Sequence, residues 1–180
     1  KEAGAISVKS YNQPRRDQRQ QVLWAAKNQE MMVVPEGGGK LQQNLTMLVD
    51  GHTGLEHSLP IEKGYSDVTQ LWKATKFGYT PTFVVSYGGM MGEEYWYDKT
   101  EVWKNPRLLR YTPSTVLDKR AIRRPTAPES QYNHQNVARY AKTLRDNGVS
   151  VHIGAHGQRE GLAAHWELWI MQQGGFTPWE

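Results

Sequence analysis

Met31-Met32-Val33-Val34-Pro35-Glu36-Gly37-Gly38-Gly39 joins a short apolar, β-branched run to a proline and three glycines. That is the composition of a buried strand that stops abruptly in a turn. Beyond it Leu41, Leu45, Leu48 and Val49 recur at helical spacing, and Asp50-Gly51 closes the helix. A strand, a polar strand end and an amphipathic helix therefore follow one another within about two dozen residues, which is the βα pattern of a parallel sheet.

The same order recurs on both sides. Upstream, Ala5-Ile6-Ser7-Val8-Lys9-Ser10 leads through Pro14 and Asp17 to a helix carrying Val22, Leu23, Ala25 and Ala26. Downstream, Gly54-Leu55-Glu56-His57 is a short strand, Ser66 is placed to cap a helix, and Val68, Leu71, Trp72 and Thr75 form its inner face up to Gly78. Thr82-Phe83-Val84-Val85-Ser86 has the most strand-like composition of all. Periodicity lapses from Gly88 to about Gln131, a stretch rich in aromatics, Arg and Pro, and so long an insertion is expected to be a lid, a binding loop or a partner surface. It returns with a helix through Val137, Tyr140, Ala141 and Leu144, a strand over Val149-Ser150-Val151-His152-Ile153, and a helix carrying Leu162, Trp166, Trp169 and Ile170. The expectation is one α/β domain over residues 1–180, of about five βα units, with an insertion at about 88–131.

Composition narrows the function. The 180 residues fall short of the roughly 250 of a complete (β/α)8 barrel. Hydrophobic residues are 38%, and no apolar run approaches the roughly 20 residues that span a bilayer, so no membrane partner is expected. A net charge of +4 is spread among acids apart from Arg15-Arg16 and the group Lys119, Arg120, Arg123 and Arg124, which argues against nucleic acid as the partner. With no cysteine, a metal site has only His, carboxylate or modified Lys to draw on. The reading leaves the compartment open between cytoplasm and periplasm. Lys1-Glu2-Ala3-Gly4-Ala5-Ile6 is neither a signal peptide nor a capped helix start, and Thr177-Pro178-Trp179-Glu180 stops where a helix would begin, so both ends read as cut.

In a parallel sheet the chemistry lies where strands end at their C-termini. Those positions here are Lys9, Glu36, Glu56 with His57, Ser86 and His156. Lys9 lies within a strand, where an ammonium needs an acid partner, or is carboxylated by carbon dioxide into an anionic bridge between two metal ions. His57 is a metal ligand or a satisfied structural histidine. Glu36 beside flexible glycines can approach a ligand closely, and the run is also an ordinary turn. His156, between Gly154 and Gly157, keeps an accessible imidazole. His52 is structural, and His165 and Glu167 are packing or surface residues. Trp24, Trp72, Trp166 and Trp169 are core or interface anchors, whereas Tyr95, Trp96, Tyr97 and Trp103 are candidates to line a ligand. No Gly-x-Ser-x-Gly elbow and no His-Glu-x-x-His occurs.

The order Val8-Lys9-Ser10, Val33-Val34-Pro35-Glu36-Gly37-Gly38, Asp50-Gly51-His52-Thr53-Gly54-Leu55-Glu56-His57, Tyr79-Thr80-Pro81-Thr82, Gly154-Ala155-His156-Gly157-Gln158 and Ala164-His165-Trp166-Glu167-Leu168 resembles the amidohydrolase superfamily. The resembling branch holds imidazolonepropionase-like and Xaa-Pro dipeptidase-like proteins, some of which accompany a β-propeller domain. The resemblance implies a partial (β/α)8 TIM barrel containing about the last five βα units, and a metal-dependent hydrolase acting on C–N (amide or peptide) bonds of a small peptide or amide substrate. It implies one or two divalent metals, usually zinc, whose hydroxide attacks the carbonyl. By position Lys9 matches a carboxylated bridging lysine and His57 a histidine ligand. Glu36 stands where the family has a histidine ligand, and His156 where it has the aspartate that acts as general base. Catalytic roles are expected of Glu36 and His156, and metal ligation of Lys9, Glu36, His57 and His156. The family's first-strand His-x-His is absent from these residues, so a catalytically inactive ligand- or partner-binding α/β module is the alternative. A partial barrel leaves a free edge at its first and last strands. Pairing with a missing N-terminal barrel segment, or a homo-oligomer, is expected, and light scattering that returns a clean monomer contradicts it.

Overall fold

A computed structural model of the chain describes residues 1–11, 13–159 and 161–180. Strand β1 (Ser7–Ser10) pairs parallel with β2 (Met32–Pro35), and the helix α1 (Arg16–Asn28) makes the crossover. Helix α2 (Leu41–Asp50) leads to β3 (Gly54–Glu56), which pairs parallel with β4 (Gly78–Thr80) across α3 (Ser66–Thr75). Ser66 opens α3 as its first helical residue instead of capping it, and the helix stops at a left-handed Lys76, before Gly78.

The partial (β/α)8 barrel of about five βα units does not form. Among the described residues there are eight α-helices and only two short two-stranded parallel sheets. Single parallel bridges, Glu36 with Glu56 and Tyr79 with Val151, touch the strands to their neighbours without continuing a sheet. Two of the five expected strands account for the difference. Thr82-Phe83-Val84-Val85-Ser86 follows Pro81, which has no N–H for a ladder, and turns through a left-handed Thr82 (φ 52°) into a 3-10 turn over Phe83–Val85. The N–H groups of Phe83 and Val84, which a strand would give to its neighbour, go instead to the Glu167 carboxylate at 2.8 and 3.1 Å. The segment at 149–153 makes only the bridge at Val151.

The insertion is helical: α4 (Gly92–Lys99), α5 (Pro106–Tyr111) and α6 (Ser114–Ala121). Asn105 caps α5, accepting from the N–H groups of Arg107 and Leu108 with Pro106 at the first helical position. Of the insertion aromatics Tyr111 is exposed, while Tyr97 and Trp96 pack against Trp166. Tyr97 is buried, and Trp96 stacks on Trp166 at 6.4 Å and meets Trp169 edge-on at 5.3 Å.

The core lies between the short sheets and two long helices, α7 (His134–Asp146) and α8 (Leu162–Gln173). Val137, Ala141 and Leu144 recur along one face of α7 and are fully buried, as a 3.6-residue period requires. Trp72 is fully buried and donates its indole N–H to the Phe77 carbonyl at 2.7 Å, and Tyr79 accepts from the Leu59 N–H at 3.1 Å. Burying each such side chain contributes about 1.5–3 kcal/mol. Trp24, expected in the core or an interface, is 70% exposed. No helix among the described residues is long and apolar enough to cross a membrane.

Burial pushes the Glu167 carboxyl up to about 8, against the backbone N–H groups of Phe83, Val84 and Gly154, which favour its anion. A carboxyl raised on folding stabilises the fold fully below its ordinary range near 4.5, and that contribution is lost as pH rises through 8. His134, pushed down to about 4 by burial, acts in the opposite sense: its contribution is present above 6.5 and lost as pH falls through 4. Between pH 6.5 and 8 Glu167 therefore sets the slope. The protein should melt at a lower temperature at pH 8 than at pH 6.5, and Glu167→Gln should flatten that difference in thermal melts followed by circular dichroism.

Candidate functional site

Because the paired strands run parallel, their C-terminal ends lie on one side, and the backbone ladder continues past them. The Glu36 N–H donates to the Ser10 carbonyl at 2.9 Å, the Gly37 N–H to the Glu56 carbonyl at 2.8 Å, and the His57 N–H to the Thr80 carbonyl at 2.9 Å. Gly37 is what permits the second contact. A Cβ there would stand 2.9 Å from the Glu56 carbonyl oxygen, closer than side-chain carbons approach. Lys9, Glu36 and His57 are thereby delivered side by side from three successive segments.

Their side chains form a continuous series. Lys9 Nζ lies 3.1 Å from Glu36 Oε2, and Glu36 Oε1 lies 3.6 Å from His57 Nε2. The His57 and His156 rings stand 5.0 Å apart, centroid to centroid, edge to face. Tyr87 flanks His57 at 5.7 Å from the other direction. His57 is buried, with a side chain only 6% exposed, while the Lys9 side chain is half open to solvent. All four residues expected at the site thus meet. Ser86 is buried with no hydrogen-bond partner for its hydroxyl among the described residues, and no described contact joins it to the series.

Three of the five non-glycine residues with left-handed backbones among the described residues fall here: His57 (φ 75°), His156 (φ 54°) and Thr82 (φ 52°). Such conformations cost of order 1–3 kcal/mol each and persist only where the surroundings hold them. Gly154 packs so tightly on Thr82 that a Cβ would lie 2.7 Å from its hydroxyl, fixing the segment that carries His156 against the loop after β4.

Burial lowers the His57 imidazole's affinity for a proton. The Glu36 carboxylate works in the other direction, and His156 and Lys9 add to the lowering. The Glu36–His57 contact is therefore one of a carboxylate with a neutral imidazole, not an ion pair. Burial also raises the Tyr87 phenol, with the Glu36 charge adding to it.

A neutral imidazole and a carboxylate are the donor types a divalent cation takes from this chain. Ligands at about 2.0–2.2 Å in tetrahedral array stand roughly 3.4 Å apart, and the Nε2 to Oε1 separation of 3.6 Å is close to that. Glu36 and His57 suit one ion between them, with His156 beside them. No group of three or more His, Asp or Glu side chains is disposed to hold a metal among the described residues. His52, read as structural, is buried with Nδ1 3.1 Å from the Met47 carbonyl.

Tyr87 is not among the residues expected at the site, and Glu167, expected as a packing or surface residue, instead accepts the N–H groups of Phe83 and Val84. Tyr87 sits one residue beyond the apolar run ending at Ser86, so its position was a signal. Glu167 lies inside an amphipathic helix among residues that look like packing, and nothing local marks its partners 83 and 84 residues away.

No protein-family model matches the chain, and no curated protein does.

The opposed influences on His57 can be separated. Glu36→Gln removes the group that favours the imidazolium, so His57 should titrate at still lower pH, whereas Lys9→Gln should move it upward. Histidine Cε1–H shifts followed by NMR across the pH range check both signs.

Proposed function

We propose that this chain carries part of a hydrolytic site for C–N bonds in small peptides or amides, of the amidohydrolase kind, with Glu36 and His57 as the residues that would hold a divalent cation. The observation that carries this reading is the convergence of Lys9, Glu36, His57 and His156, from four separate segments, into one series of contacts at the strand ends. The sequence resemblance, which rests on the runs that carry these same residues, supplies the class of chemistry.

A divalent cation supplies Lewis acidity and a bound water of lowered pKa. The chain's own residues do the rest. His57, kept neutral by burial, offers a lone pair with no proton to displace. Glu36 supplies negative charge beside it. The Lys9 ammonium balances Glu36 and stands ready to stabilise charge developing on a carbonyl oxygen. Carboxylation of Lys9 would put a second anion beside Glu36, so carbon dioxide and zinc should bind in mutual support. His156, exposed at the rim, takes or returns the proton of the attacking water.

A second reading, a catalytically inactive ligand- or partner-binding module, has its own observation. A groove of about 650 Å³ is lined by Val151, Ile153, Leu168, Trp169, Met171 and Phe176, none of them in the cluster. Ligand binding abolished by Leu168→Asp and untouched by His57→Ala would favour it.

Zinc titration by calorimetry, paired with hydrolysis assays on dipeptides and cyclic amides, tests the leading reading. The unaltered protein should take up zinc, more tightly in bicarbonate, and His57→Ala or Glu36→Gln should weaken uptake by at least the roughly 10–100-fold that loss of an outer-sphere partner costs. Protein that takes up no zinc and turns over no amide overturns it.

A further inference from the structure

The His156 imidazole is tied through Gln158 to a buried carboxylate in the insertion. His156 Nδ1 lies 2.7 Å from Gln158 Oε1, and Gln158 Nε2 donates to Glu93 Oε2 at 3.2 Å. Glu93, on α4, is 1% exposed and pairs through the same oxygen with the Arg120 guanidinium of α6 at 3.1 Å.

These partners leave little freedom. A carboxylate beside a guanidinium accepts hydrogen bonds and donates none. Gln158 must therefore turn its NH2 to Glu93 and its carbonyl to His156. An amide carbonyl only accepts, so the proton of a neutral His156 ring belongs on Nδ1, and the lone pair belongs on Nε2. Which ring nitrogen carries the proton is set by the bond the other nitrogen makes, and groups of this kind orient histidines at reactive sites.

We infer that Gln158 and Glu93 are positioning residues: the Glu93 carboxylate, held by Arg120, fixes the amide of Gln158, which fixes His156 in the Nδ1–H tautomer with Nε2 free to take a proton or a ligand. The inference rests on the proposed hydrolytic reading only for the use made of that lone pair. It gives the insertion a task in the site that Trp96 and Tyr97, packed on Trp166 of α8, do not perform. Gln158→Leu removes both bonds at nearly constant volume. Glu93→Gln keeps the shape and adds a donor, so that Gln158 is no longer obliged to face one way.

The test is 15N NMR of the intact protein with labelled histidine at alkaline pH. His156 should show a pyrrole-type Nδ1 and a pyridine-type Nε2 in the unaltered protein. The ratio of Nδ1–H to Nε2–H should fall about threefold to tenfold in either variant, the scale set by one net hydrogen bond. Circular dichroism establishes that each variant is folded, and should Gln158→Leu fail to fold, Glu93→Gln decides. A wild-type ring protonated on Nε2, or a tautomer ratio unmoved in the folded variants, overturns the inference. A protein that shows the Nδ1–H tautomer yet takes up no zinc and turns over no amide upholds this inference and removes the hydrolytic reading.

Discussion

A buried backbone N–H must find an acceptor, and at the end of β4 the acceptor is a side chain of α8. Glu167 collects the N–H groups of Phe83, Val84 and Gly154, so one carboxyl joins the turn after β4, the last extended segment and the final helix. The turn at Phe83–Val85 can leave the sheet because its donors are satisfied there. Gly154 is drawn against Thr82, and His156, two residues further on, is carried to His57. The cost is a carboxyl desolvated in the core, which the three N–H groups offset only in part.

The electrostatics of the site follow from depth. Lys9 is half open to water, so its pairing with Glu36 is of the screened kind worth little to stability. His57, one contact further in, is buried, and there desolvation outweighs the Glu36 charge. The series therefore passes from a solvated ammonium to a neutral ring over two contacts, which places a cation-attracting carboxylate next to an uncharged donor.

The segments around β1, β2 and β3 were legible because their apolar runs are short, bounded by Pro or Gly, and followed by helices whose periodicity is local information. The strand ends were legible for the same reason: once strands are parallel, the residue after each run is on the common side. What could not be read was whether a β-branched run would stay in a sheet. Thr82-Phe83-Val84-Val85-Ser86 has every local mark of a strand, but its fate depends on Pro81 and on a glutamate 84 residues from Phe83. Without it and the segment at 149–153, the five units reduce to two small sheets. The insertion misled through composition. Tyr97 and Trp96 looked like ligand-lining aromatics, and they are spent packing α4 onto α8. Gln158 stands in the run that carries His156, but Glu93 carried no signal, because an amide relay exists only when three distant segments meet.

The Arg120–Glu93 pair has a consequence for anyone who would trim or graft this chain. Excising α6 as a dispensable surface loop would leave a carboxylate that is 1% exposed without its counter-ion. The Gln158 amide would then be the carboxylate's remaining partner, and an under-satisfied buried acceptor costs stability. The insertion is thus no modular appendage. The stretch between α4 and α6 is itself anchored, with Val102 buried in the core and Trp103 and Leu108 packed against it, and a transplant must move Glu93, Arg120 and Gln158 together.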